Sequence, residues 1–322
     1  MKKLISLILI VCSFSAKAQT YKKLVSKADS CYQAKDYKMS VVYYEKAFKI
    51  EHKNKTSLYN AGCSAAQANE NKKAFKWLNL AIDNGYEAMA YLKIDGNLKA
   101  LHDTKEWEKL LVKFQKKLDI LERDYDKPLQ KELLAIYTDD QSIRIDFMKI
   151  YEADNANKKA IDSVGQIMIR RDSINLIKII KILDERGWVG KDVVGSLANQ
   201  TLYLVIQHAD LKYQQKYLPM MREAVKNGNA NARNLAYLED RIALREGRKQ
   251  IYGSQYSKNK ATNKWYISPL IDPDNIDKRR AEVGLGTMAE SAAKMNIEWD
   301  VEAYKKELPE LERIMLAENK KN

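Results

Sequence analysis

Only 3 cysteines, 5 prolines and 12 glycines occur among the 322 residues. So few cysteines exclude a disulfide-stapled mini-protein and a Cys-rich zinc array. Scarce proline and glycine exclude collagen-like and linker-like chains, and they argue against a turn-rich β-sandwich. Histidine numbers 3 and only His208 lies in the second half, so a multi-histidine zinc site is impossible there. HExxH, CxxC, GxSxG and a glycine-rich phosphate loop are all missing. No metal and no cofactor are therefore expected, although His208 joined by carboxylates leaves one metal geometry open.

Long apolar runs are also missing after the first twenty residues. The stretch 197–206 is broken by Asn199, Gln200 and Thr201, whereas a membrane-spanning helix needs roughly 20 apolar residues. The beginning differs. Met1-Lys2-Lys3, an apolar run over 4–14, and small Ala16 and Ala18 before Gln19 have the three-part pattern of a secretory signal peptide cleaved before Gln19. Bulky Val11 argues against a lipid anchor at Cys12. The mature protein is expected to be periplasmic or secreted, with no transmembrane segment after the signal peptide. Removing Lys2, Lys3 and Lys17 would lower the net charge from +13 to +10. Acids and bases are interleaved, as in Lys305-Lys306-Glu307, so the basic balance indicates a solvated surface and no nucleic-acid partner.

What is abundant is apolar and charged, 45% and 31% of the chain, in the proportions of a packed helical protein. Ala28 and Gly62, Ser40 and Ala74, Tyr44 and Leu78, and Ala47 and Ala81 are each 34 residues apart. Small residues at this period let two helices approach closely, with a bulky residue filling the space between them. On these positions residues 20–118 resemble tetratricopeptide repeats. Cys31, Lys35, His52 and Asn71 depart from the usual pattern. Met89 to Leu92, Leu98, Leu101 and Trp107 fit a truncated unit closing the stack. Cys31 and Cys63 fall on the first helices of adjacent repeats, either as two free thiols or as a disulfide.

The expected division is a signal peptide over 1–18, repeats with a capping helix over 19–118, a linker over 119–128 and a second domain over 129–322. The fold class is all-α: a tetratricopeptide-type solenoid followed by a mainly helical domain with one β-hairpin. Helices are expected over 129–150, 167–183 with Ile174, Ile177, Ile180 and Leu183 as its stripe, 194–208, 214–227, 230–246 and 297–318. Another starts at Asp272-Pro273-Asp274 and runs to Gly284. Two aromatic arms in 250–271, around a polar tip over 257–263, predict the hairpin.

Polar groups sit awkwardly on these apolar helices. His208 falls beside Leu197, Thr201 and Leu204 at the end of an otherwise apolar helix. It is either a core histidine or a general base oriented by Asp140, Asp210 or Asp240. Asp240 and Arg241 cannot share one polar stripe, so each needs a partner elsewhere: Arg280 for the acid, and Asp139 or Asp140 for the base. In an extended 247–255 segment, Gln250, Tyr252 and Ser254 would point one way, with Gly253 allowing close approach of a ligand or backbone. Gln141, Arg144, Gln207, Asp210 and Gln255 complete the candidate binding set.

These residues, with Gly187-Trp188, Gly247 and Gly284-Leu285, resemble a bacterial domain family of unknown function over 125–290. Ser254 stands where that family commonly has threonine. The resemblance implies export and a position after tetratricopeptide repeats, and it implies no activity. The leading expectation is a binding protein, taking a protein or peptide in the repeat groove and a polar small molecule or glycan in the second domain. The alternative is a hydrolase of a cell-envelope substrate. There His208 would be the base, Asp140 or Asp240 its orienter, and Arg241 with Gln255 the stabiliser of negative charge.

Overall fold

The computed structural model describes the chain apart from residues 1, 154–156, 260–261, 263 and 320–322, with side chains described from 17 onwards except 18, 318 and 319. Lys260, Ala261 and Asn263 of the polar tip thus lie outside the described residues, as do the side chains of Cys12, Ala16 and Ala18 of the expected signal peptide. The fold is all-α with one small antiparallel hairpin. Two compact units divide the chain, Met1–Asp124 and Tyr125–Asn322. Among the described residues, no helix is long and apolar enough to cross a membrane.

The first unit contains α1 (Lys2–Gln33), α2 (Tyr37–Phe48), α3 (Lys55–Gln67), α4 (Asn71–Asp83), α5 (Met89–Ile94), a 3-10 turn (Gly96–Leu101) and α6 (Lys105–Leu121). Local chemistry starts the helices. Asp36, Asn54 and Thr104 accept the N–H groups of Met39, Ser57 and Trp107, satisfying donors that a helix leaves free at its start. The eight residues related by 34 positions are all buried. A Cβ on Gly62 would lie 2.7 Å from Leu78 Cδ2, so the α3–α4 contact depends on the missing side chain. Tandem helix pairs of this kind are compatible with a repeat architecture. Cys31 and Cys63 are both free thiols. Cys63 donates to Asp95 Oδ2 at 3.5 Å beside the Tyr59 hydroxyl at 2.7 Å, and burial pushes its thiol well above the usual range.

The second unit contains α7 (Lys127–Ala153), α8 (Lys158–Arg186), α9 (Lys191–Val194), α10 (Ser196–His208), α11 (Leu211–Lys226) and α12 (Ala232–Arg245). After them come β1 (Tyr256–Lys258), β2 (Trp265–Ile267), a 3-10 turn (Pro273–Asn275), α13 (Ile276–Glu282), α14 (Met288–Ala293) and α15 (Val301–Asn319). Helices α7 to α12 share one core around Leu133, Ile179, Leu202, Ile206 and Tyr217. The hairpin and α13 to α15 share a second around Leu270, Ile276, Met288 and Tyr304. The strands pair Tyr256 with Ile267 and Lys258 with Trp265.

Two local expectations need correction. The buried face of α8 carries Asn175, Ile179, Ile182 and Leu183, while Ile174 and Ile177 face outwards, Ile177 at 70% exposure. The isoleucines of that helix are spread over several directions among its charged residues, so periodicity could not choose its inner side. Residues 250–255 do not form an extended arm either, because the strand begins at Tyr256. Gln250 instead turns inwards and forms an isolated parallel bridge with Leu270.

Candidate functional site

Asp140 lies on the inward stripe of α7 with Leu133, Ile136 and Ile143, and its side chain is 1% exposed. A carboxylate so placed must be paired. Its Oδ1 meets His208 Nδ1 at 3.1 Å and Arg144 Nη1 at 3.2 Å, and Oδ2 accepts from Gln141 Nε2 at 2.6 Å. Burial alone would raise its pKa, but the hydrogen bond and charge of His208, with Arg144 and Gln141, hold it below the usual value. An ionised acceptor at Oδ1 requires the proton on His208 Nδ1 when the ring is neutral. Nε2 has no partner among the described residues and is not sealed from solvent. The ring is 21% exposed.

Arg144, one turn after Asp140, reaches across to α8, where Nη2 contacts both Asp172 oxygens at 2.9 Å. Asp172 was missed in the sequence. It belongs to the inward line of α8, three residues before buried Asn175 and seven before Ile179, a signal hidden by the misread stripe. Asp140, Asp172 and His208 each place a ligand atom within 4.8 Å of the others. These three would be the residues able to hold a cation. The Arg144 guanidinium already bridges both acids, so a metal would have to displace it.

The next charged group is Arg241 on α12. Its Nη1 donates to the main-chain oxygen of Gln207 at 2.9 Å, and Nε lies 3.4 Å from Gln255 Oε1. Neither Asp139 nor Asp140 pairs with it. Asp139 is taken by Arg171 at 3.1 Å and Asn175 at 3.1 Å. Desolvation, then repulsion from Arg245 and Arg144, lowers the Arg241 pKa, opposed by the Tyr203 phenol. Arg241 therefore holds the carbonyl of the residue that precedes His208 and lies within electrostatic reach of Arg144. The Gln207 side chain is buried, and its Oε1 finds no partner among the described residues.

Asp240, proposed as an orienter, cannot hold His208. It is fully buried, and its oxygens accept the backbone N–H groups of Ile251, Tyr252 and Ser254 at 2.6 to 3.2 Å. Burial pushes this carboxyl above the usual range against those bonds. Arg280 does not meet it but donates to the carbonyls of Gly286, Tyr252 and Gly253. Gln250 is fully buried and clamps Gln255 and Ser268. Gly253 has φ +63°, and a Cβ there would meet Met288 Sδ at 2.7 Å, so its close approach is to a side chain rather than a ligand. The Tyr252 backbone is held between Asp240 and Arg280. Asp210 is exposed at the start of α11 and is not the carboxylate that meets His208. The candidates thus separate into a solvent-reaching cluster (Asp140, Gln141, Arg144, Asp172, His208, Arg241, Gln255) and an internal brace of Asp240, Gln250 and Arg280 that shapes the 250–255 turn.

The fold and this arrangement define a helical domain with an ionic cluster gathered from α7, α8, α10 and α12. Residues 127–302 match a family of unknown function, DUF6624, and the chain belongs to that family. Neither the curated proteins nor the solved structures gave a match.

Proposed function

We propose that this is an exported binding protein whose first unit, built from repeats of the tetratricopeptide kind, receives a protein or peptide, while its second unit holds a polar ligand at the His208 cluster. The signal-peptide pattern over 1–18 supports export, and the 34-residue spacing supports the repeat assignment. One observation carries the ligand site: His208 is fixed at Nδ1 by a sealed carboxylate while Nε2 remains open to solvent, and Arg241 holds the main-chain oxygen of the preceding residue, Gln207. An imidazole nitrogen left open to solvent is free to meet a ligand or a proton.

Native mass spectrometry after incubation with a desalted low-mass fraction of envelope extract tests this reading. Wild type should retain an adduct that His208→Ala loses, with thermal stability otherwise similar. Equal retention by both proteins, or none by either, would refute it. The same base-and-orienter geometry supports a second reading, hydrolysis with His208 activating water. In that case wild type would consume the retained compound, and His208→Ala would bind without turnover.

A further inference from the structure

The acids and guanidinium groups of the cluster are not paired one to one. Asp140 and Asp172 are both engaged by Arg144, and His208 adds a donor to Asp140. Arg245 donates to the Ala209 carbonyl at 2.8 Å, with Asp210 as its electrostatic counterpart. That leaves Arg241. It meets one carbonyl and one amide oxygen, and the other guanidinium groups acting on it repel it. No carboxylate touches it among the described residues. Its Nη2 has no partner there and is not a sealed atom, so donors of the guanidinium remain available from solvent.

The surroundings favour an incoming anion over water alone. Tyr203 is almost buried and lies within electrostatic reach of both Arg241 and Tyr237. Burial reduces the hydration of Arg241 itself, which strengthens any charge-assisted bond made there. Gln255 is held in place by Gln250 and Ser254, so its side chain is presented to Arg241 by a fixed turn. With one guanidinium that lacks a carboxylate in direct contact, the site matches a monoanion better than a dianionic phosphate. A guanidinium also presents two N–H groups in the plane of a carboxylate.

We propose that Arg241, beside Gln255 and bonded to the carbonyl that precedes His208, binds the carboxylate of a small organic acid. This rests on the ligand-site reading above and adds the chemistry of the group recognised. In aromatic-region NMR spectra at fixed pH and ionic strength, the His208 ring resonances report binding of acetate, lactate, glutarate and glucuronate. Acetamide, propanediol and glucose serve as neutral counterparts. The carboxylates should move the His208 resonances saturably, and the neutral probes should not. Arg241→Lys, which retains charge but loses the fork, should weaken the best carboxylate by about tenfold or more. Arg241→Gln should abolish that shift, with circular dichroism and melting temperature confirming that both variants fold.

If neutral probes move His208 as strongly as the acids, the carboxylate assignment is overturned while the ligand site survives. If no probe moves His208, both fail. If inorganic phosphate binds more tightly than every carboxylate, the monoanion argument is wrong. Unchanged carboxylate affinity in both Arg241 variants would also overturn the proposal.

Discussion

Replacing Asp240 by Asn exchanges one carboxylate oxygen for an NH2 group in a site where three backbone N–H groups converge on the side chain. In the wild type, Oδ1 takes the N–H groups of Ile251 and Tyr252 at 2.6 and 2.9 Å, and Oδ2 takes that of Ser254 at 2.9 Å. Asn retains one acceptor and turns an NH2 group towards the third donor, which then has no carboxylate oxygen to meet. A buried backbone donor left unmet costs about 1–3 kcal/mol, and the weakening of the other two bonds brings the total to about 3 kcal/mol. For a unit of this size, about 3 kcal/mol corresponds to a fall in melting temperature of roughly 6–12 °C. Differential scanning calorimetry at neutral pH reads that change directly. The variant should also loosen the 250–255 turn, seen as faster amide exchange at Tyr252 and Ser254. A shift below about 1 °C would show that the carboxyl is protonated in the fold, or that the brace carries no stability.

Gly253→Ala should cost about 2–4 kcal/mol, from a left-handed backbone and the Met288 clash together, and chemical denaturation will show whether it does. Lys35 adopts φ 61° between α1 and α2, so Lys35→Gly should stabilise the first unit by about 0.5–1 kcal/mol in the same assay. A loss would count against strain there. The two buried carboxyls should have opposite pH signatures in a melting profile. Asp140 is depressed, so its contribution is present above the ordinary carboxylate pKa of about 4 and lost as pH falls through its lower folded value. Asp240 is raised, so its contribution is fully present below that ordinary value and lost as pH rises through its folded one. Asp140→Asn should therefore flatten the acid limb, and an unchanged limb would refute the assignment. N-terminal sequencing of the exported protein should begin at Gln19, and recovery of the intact start would remove the signal-peptide reading.

Helix positions were readable wherever small and bulky residues recur, as at Ala28, Tyr44, Gly62 and Leu78, because close helix crossings tolerate few alternatives. Helix α10 was legible for a similar reason: Thr201, Leu202, Val205 and Ile206 leave little doubt that it is buried. Partner choice was much less legible. Asp140 and Asp240 both interrupt apolar stripes, but sequence does not reveal that one meets an imidazole and the other a row of backbone N–H groups. That difference depends on the 247–255 turn, whose path is set by Gln250, Arg280 and Gly253 acting on distant elements. Asp172 escaped notice because α8 offers isoleucine in nearly every direction. Helix α14 escaped because six residues, even with the Thr287–Glu290 capping box, give periodicity too little length.

The most direct test of the site is the state of the His208 ring itself. Long-range proton–nitrogen NMR at alkaline pH, where imidazole is neutral, should find the proton on Nδ1, and diethylpyrocarbonate should modify Nε2 readily. Asp140→Ala should shift the ring to a mixture of tautomers. A proton resident on Nε2, or a ring that resists modification in the folded protein, would contradict the account.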